Sequence, residues 1–366
     1  MSEPRTETPW PGPVPVRPGP TAPADADPAG RPVAGHPTAH VTSRRTRSRG
    51  PVVAVCVAVA AASGLGIWLI WAVFVGSTRG QRVERSALRG AAYGQTHLWH
   101  VAERVLSVVS VGFIAAVLVA AMLIAVLRRR WSLAVQVAVL MAGANLTTHV
   151  LKYDVFDRPH LGIPSPSVNT LPSGHTTAAA SVSAALLLVV PARARPWAAA
   201  AGAAYTTATG VSTLIGQWHR PSDVVAATLV VLGWMAITCA LVALTPARLS
   251  GPATGAVDAA AVSRAAADDT RDAARRQRRG VMVVLVTLGV AAGAVAVLAL
   301  GHTWAQDFSL ARADLLVAYA GGAAGATAAS CLTFAAMLAL RTAVSDSAVP
   351  ARAVPGRAAP GRLPRA

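Results

Sequence analysis

Apolar blocks long enough to cross a bilayer recur along most of this chain, and that leaves few folds open. The hydrocarbon core of a bilayer is ~30 Å thick and takes ~20 helical residues to span. Blocks of that order fall at about 51–76, 105–127, 132–151, 174–190, 197–215, 223–245, 281–300 and 314–340. With 54% of residues hydrophobic and only 13% charged, the expected fold is an all-α polytopic membrane protein. The fourth and fifth blocks are the weakest, being short and interrupted by polar groups. Cys56, Cys239 and Cys331 all fall inside apolar blocks, with no metal-ligand spacing and no disulfide framework.

The net charge of +17 would suit nucleic acid, but the arginines stand beside the spans and are not interleaved with aromatics on a polar face. They are read as topology signals. If the N-terminus is cytoplasmic, 24 of the 33 basic residues lie on the cytoplasmic side and 9 on the other, as the positive-inside rule requires. Both termini are therefore expected in the cytoplasm, and Arg275, Arg276, Arg278 and Arg279 should attract anionic lipid headgroups. Residues 1–50 and 341–366, rich in Pro, Gly and Arg, read as disordered cytoplasmic tails. Residues 247–280 read as a cytoplasmic loop in which Gly251 to Gly280 forms a short surface helix.

The same topology gathers three polar clusters on the extracytoplasmic face: Lys152 to Arg158, Pro172 to His175, and His219 to Asp223. Lys152 is the only lysine among the 33 basic residues, kept where a compact point charge suits a phosphate oxygen. Together with Arg158 it supplies two cations within one loop. Ser173 and Gly174 open a helix, where a hydroxyl, a closely approachable backbone and free N–H groups favour an anion. His219 stands four residues before Asp223, a spacing at which a carboxylate fixes one ring nitrogen and leaves the other free to attack. No carboxylate and histidine cluster has metal-ligand spacing. His97, His100, His149, His160 and His302 are read as structural, with His149 the first exception to consider because it lies near one turn before Lys152.

These residues resemble the signatures of the type 2 phosphatidic acid phosphatase superfamily, the membrane lipid phosphatases related to vanadium haloperoxidases. The resemblance rests on Lys152…Arg158-Pro159, on Pro172-Ser173-Gly174-His175, and on Ser212…His219-x-x-x-Asp223, and it covers roughly residues 51 to 245. It implies a six-helix bundle over residues 51–246, followed here by two additional transmembrane helices over 281–340. It also implies that His219 is the nucleophile that forms a phosphohistidine, Asp223 its orienter, and His175 the acid for the leaving oxygen. Lys152, Arg158, Ser173 and Gly174 would hold the phosphate, with no cofactor and no metal. Two departures stand out: the first signature is one residue shorter than usual, and Thr213 stands after Ser212 where the family has an arginine. Ser212, Thr213 and Arg220 are further candidates for the phosphate site, Arg220 as the replacement cation.

The expected function is a metal-independent lipid phosphatase acting on a lipid phosphomonoester or pyrophosphate at the extracytoplasmic face of a bacterial plasma membrane. Its partners would be a lipid phosphate substrate and membrane lipids, with no nucleic acid. Two alternatives remain open at this level: a phosphotransferase acting on a lipid-linked group, and a non-catalytic protein that binds lipid phosphate.

Overall fold

The computed structural model describes residues 49–108, 119, 123, 131–163, 168–245, 262–306 and 309–347. Within them the chain forms helices α1 (Gly50–Ile70), α2 (Thr78–Val108), α3 (Trp131–Val150), α4 (Gly174–Val189), α5 (Arg195–Ile215), α6 (Pro221–Leu244), α7 (Val262–Ala305) and α8 (Arg312–Ser347). Wide π-helical turns, Trp71–Val75 and Leu151–Val155, extend α1 and α3. No strand occurs among the described residues.

Five of the described helical segments are long and apolar enough to cross a membrane: Gly50–Val75, Trp131–Val155, Pro221–Leu244, Asp272–Ala305 and Arg312–Ser347. The protein is an all-α polytopic membrane protein. The span expected at 105–127 lies largely outside the described residues, as do most of the tails expected at 1–50 and 341–366; of the second, residues 341–347 are instead the end of α8, which continues to Ser347.

The two weak blocks became helices whose polar residues face the inside of the bundle. At 16 residues, α4 is about 24 Å long at ~1.5 Å per residue, shorter than the ~30 Å core. Its face is buried among other helices, with Thr176, Thr177, Ser181 and Ser183 inside. The hydroxyls of Thr177, Ser181 and Ser183 donate to carbonyls one turn back, and Thr148 of α3 meets Thr177 at 2.9 Å. Small hydroxyl residues of this kind join helices without a hydrophobic driving force, which lipid does not supply. Similarly, α5 carries Thr206, Thr209, Ser212 and Thr213 on its buried side.

The C-terminal pair is more deeply built in than two appended helices would be. Helix α8 packs on α2, α5, α6 and α7, and its Phe334 is fully buried against Gly202 of α5. At Gly322 a Cβ would stand 2.6 Å from Pro221 Cγ, so α8 can lie against the first residue of α6 only because that position is glycine. Of the short surface helix expected over Gly251 to Gly280, the described part is instead continuous with the seventh span in α7, which runs without a break from Val262. No proline interrupts that stretch and its isolated Gly280 is tolerable in a helix at a cost of ~1 kcal/mol.

At one end of the bundle, α1 and α3 finish and α4 and α6 begin. Opposite, Arg49 donates to the carbonyls of Ala243 and Thr245, so a cation closes the negative end of α6. Helix α2 crosses the first end. Its composition is not that of a span: Arg79, Arg82, Arg85 and Arg89 alternate with a buried stripe of Val83, Ala87 and Ala91.

Candidate active site

Lys152, expected in a loop, lies in the π-helical turn that ends α3, and the stretch from there to Pro159 is fixed from three directions, each through its backbone. The amide of Asn169 donates to the carbonyls of Lys152, Phe156 and Leu171 at 3.0–3.1 Å. Gln81 of α2 donates to the carbonyls of Val75 and Pro159. Trp71 stacks on Phe156 with ring centroids 5.3 Å apart, and its indole N–H donates to the Asp157 carbonyl. These contacts satisfy carbonyls that the loop would otherwise leave without partners. They leave Lys152 half-buried and Arg158 buried.

Ser173 caps α4: its hydroxyl accepts from the Thr176 N–H at 3.3 Å, the usual use of a serine at this position. Its own N–H donates to the Asp223 carbonyl at 3.0 Å. The starts of α4 and α6 are thereby joined directly. Gly174 and His175 form the first turn of α4 beside them.

Before α6, the chain turns back through Trp218 and His219, whose N–H groups both donate to the Thr213 carbonyl. Pro221 at the first helical position holds Arg220 extended, at φ −96° and ψ 161°, as a residue before proline prefers. The Asp223 carboxylate then accepts from the Arg220 N–H at 2.9 Å and faces His219 Nδ1 at 3.1 Å. All three residues are buried. The His175 ring lies edge-on to the His219 ring with centroids 6.1 Å apart, and 5.4 Å from Trp218.

The two arginines meet at a residue that the sequence patterns did not single out. Glu84 of α2 is buried, with Arg158 Nη1 at 3.4 Å and Arg220 Nε at 3.9 Å from the same carboxylate oxygen, Oε2. The Ser222 hydroxyl donates to the other oxygen, Oε1. Arg220 Nη1 donates to Thr170 Oγ1 at 2.6 Å, whereas Arg158 Nη2 is buried with no hydrogen-bond partner among the described residues. Burial pushes the Glu84 carboxyl up to about 7; the Asp223 charge adds to the rise, while Arg220, Ser222 and Arg158 oppose it. Burial, followed by the Arg220 charge, draws Arg158 below the ordinary arginine value.

Thr213 is placed differently. Its side chain is fully buried and its hydroxyl donates to the Gly210 carbonyl at 2.7 Å, so its polar group is used within α5. Arg220 is the cation of the third signature that, with Ser222, reaches Arg158's carboxylate partner.

The other candidates lie apart from this cluster or elsewhere in the chain. Ser212 is buried beside Thr213. His149 is exposed and tilted against Tyr153 at 4.7 Å. His100 and His160 are exposed, and His302 meets Gln306 and Asp314; the His97 side chain lies outside the described residues. Among the described residues no group of three or more His, Cys, Asp or Glu side chains is placed to hold a metal. Glu84 had one sequence signal, an acid on the same helical face as Ala87 and Ala91 in a stretch otherwise basic. Asn169, Thr170 and Ser222 had none.

The lysine and arginine of one loop, a capped Ser-Gly-His helix start and a His–Asp pair meet at one end of the bundle. Residues 133–248 match the PAP2 superfamily. That segment contains every candidate site residue except Glu84. At the family level that match suggests phosphatase-type chemistry on phosphoesters. No curated protein and no solved structure matches the chain.

Proposed function

We propose that this PAP2-type protein is a metal-independent membrane lipid phosphatase that cleaves a lipid phosphomonoester or pyrophosphate through a phosphohistidine at the extracytoplasmic face. The observation that carries this reading is the buried His219–Asp223 pair at 3.1 Å, beside which Arg158 and Arg220 are also buried. An ionised Asp223 accepts the Nδ1–H of His219, so Nε2 carries the free lone pair and faces substrate.

Substrate enters phosphate first. Lys152, Arg158 and Arg220 spread its charge, and the first turn of α4 presents the backbone N–H groups of Gly174 and His175 at the positive end of the helix, the N–H of Ser173 being held by Asp223. His219 Nε2 attacks phosphorus as the bond to the leaving oxygen breaks, and His175 gives that oxygen a proton. The phosphohistidine is then attacked by water, which passes a proton to the now neutral His175; the P–N bond breaks and phosphate leaves. Positioning and fixed positive charge supply most of the acceleration in such transfers. A membrane-embedded bundle, with the site where helices end, suits a substrate whose apolar tail stays in the bilayer.

Purified protein in detergent or vesicles should release inorganic phosphate from at least one of a panel of lipid phosphates and pyrophosphates, and should do so in excess chelator. Turnover lost to chelator and restored by magnesium would refute metal independence, and binding of lipid phosphate without release would refute hydrolysis.

Arg220 replaces the arginine missing at Thr213 in this scheme. Arg220→Ala should cost ~1.5–3 kcal/mol of transition-state stabilisation, the worth of one charge-assisted hydrogen bond, or roughly 10- to 150-fold in kcat/KM. Thr213→Arg should lower activity as well, because the threonine is fully buried and a longer cationic side chain has no room there. Enhanced turnover in Thr213→Arg would mean that the phosphate site is underfilled and that Arg220 does not fill it.

A further inference from the structure

The carboxylate between the two arginines is not needed by the phosphoryl transfer just described, and it stands where it would oppose an incoming anion. Glu84 comes from α2, outside the segment that matches the PAP2 superfamily. Its Oε2 faces both Arg158 and Arg220, and its Oε1 takes the Ser222 hydroxyl. Three groups from two other parts of the chain therefore converge on one side chain of α2. A tetrahedral phosphate seeks those guanidiniums, and one terminal nitrogen of Arg158 is already buried without a partner.

We propose that Glu84 is a positioning residue of the phosphate site, holding Arg158 and Arg220 as a carboxylate when the site is empty and taking up one proton from solvent when a phosphate group engages them. This rests on the phosphate-binding reading of Arg158 and Arg220, and it adds a linkage between anion binding and protonation that the reaction itself does not require.

The charge arithmetic drives the uptake. With Glu84 ionised, two guanidiniums face one carboxylate. A dianion arriving beside them places a further negative charge next to Glu84 and draws on the cations that stabilise it, so the neutral acid becomes the favoured form. Glu84 sits near that balance already, because burial and Asp223 raise it to about 7 against the opposing pull of Arg220, Ser222 and Arg158. A bound anion raises it further. Once neutral, the acid still accepts an arginine N–H through its carbonyl oxygen, so the guanidiniums stay oriented while their charge is released to the phosphate. Among the other elements packed on α2, α8 contributes Arg312, over the Tyr93 ring, Asp314, in a cleft with Arg79 and Arg82, and Tyr319, beside Gly90, and α7 contributes His302, which meets Asp314. The ionisable residues of α5 are Arg195 and Tyr205.

The sign follows from these values. Below pH ~7 Glu84 is already mostly neutral and binding takes up little; above it the empty site is ionised and each anion bound should bring in close to one proton, until the raised value of the occupied site is passed. Over that window affinity should fall by up to ~10-fold per pH unit.

Sulfate is the suitable probe, a tetrahedral dianion that does not itself titrate near neutrality. Its binding to the full-length protein in detergent can be followed by calorimetry at pH ~8 in buffers of different ionisation enthalpy, which reads protons taken up per anion bound. Wild type should take up close to one proton more than Glu84→Gln. Glu84→Gln should also bind sulfate more tightly than wild type at pH ~8 and about equally at pH ~6, the two curves converging as Glu84 becomes neutral. Ser222→Ala removes a hydrogen bond that favours the carboxylate, so it should move the wild-type window to higher pH and keep the inference testable if Glu84→Gln does not fold. Equal proton uptake in wild type and Glu84→Gln, or weaker sulfate binding by Glu84→Gln across the whole range, would overturn the proposal, as would an unchanged window in Ser222→Ala. Wild type that binds no sulfate overturns it too. Failure of the phosphatase reading is told apart by phosphate release: a wild type with Glu84-linked sulfate binding and no turnover on any lipid phosphate would keep this inference and remove that one.

Discussion

His219→Ala should abolish phosphate release and, with it, every trace of a covalent phosphoenzyme. The wild-type intermediate, trapped with labelled substrate, should survive alkali and decay in acid, because a phosphoramidate is cleaved once its nitrogen is protonated. No neighbouring group can take over the attack. His175 stands edge-on to the His219 ring with centroids 6.1 Å apart, so its nitrogens do not occupy the place of His219 Nε2, and it is half-exposed, while the Asp223 carboxylate is committed to the Arg220 N–H as well as to His219. That second bond is why the variant should still fold. Asp223 retains the Arg220 N–H and continues to tie α6 to Ser173 through its own carbonyl. The melting temperature of the variant should therefore stay close to that of wild type, so that loss of activity reports chemistry. An acid-labile, alkali-stable phosphoenzyme persisting in His219→Ala would move the nucleophile elsewhere.

The parts of this site legible in the sequence are the local ones. A carboxylate four residues after a histidine predicts a shared helical face or turn, and His219 and Asp223 are 3.1 Å apart. Serine before an apolar run predicts an N-cap, and Ser173 caps α4. Proline after Arg220 predicts an extended backbone there, as found. Contacts that join distant segments left no such trace. Glu84 and Ser222 are 138 residues apart, and no periodicity links an amphipathic helix between two spans to the first turn of α6. Asn169 gathers three carbonyls of a loop whose shape sequence does not give. The C-terminal pair was readable as helices but not as part of the site's support, because that depends on one glycine, Gly322, meeting Pro221. Hydropathy likewise marked α4 as a span without indicating that its 16 residues would be housed by neighbours rather than by lipid.

His175→Ala is expected to separate bond breaking by the quality of the leaving group. A lipid alcohol leaves as a strongly basic alkoxide unless it is protonated, so loss of the acid should slow its release by ~10²–10⁴-fold. An aryl phosphate such as p-nitrophenyl phosphate departs as a stable phenolate and should be slowed far less. Geometry gives the variant a fair test. His175 is in the first turn of α4, after the Ser173 cap and clear of its hydrogen bonds, and its contacts are with the rings of Trp218 and His219. Removing the imidazole leaves the cap, the His219–Asp223 pair and the Arg158–Glu84–Arg220 cluster with all their own partners. Phosphoenzyme should still form from the aryl substrate at a rate near wild type. Its hydrolysis should lag, because the same imidazole takes the proton of the attacking water, and phosphohistidine should accumulate to a level that wild type does not reach. An unaltered rate with the lipid phosphate would remove His175 from the proton transfer. Equal slowing of aryl and lipid substrates, with no build-up of phosphoenzyme, would instead place His175 in binding the phosphate, alongside Lys152 and Arg158.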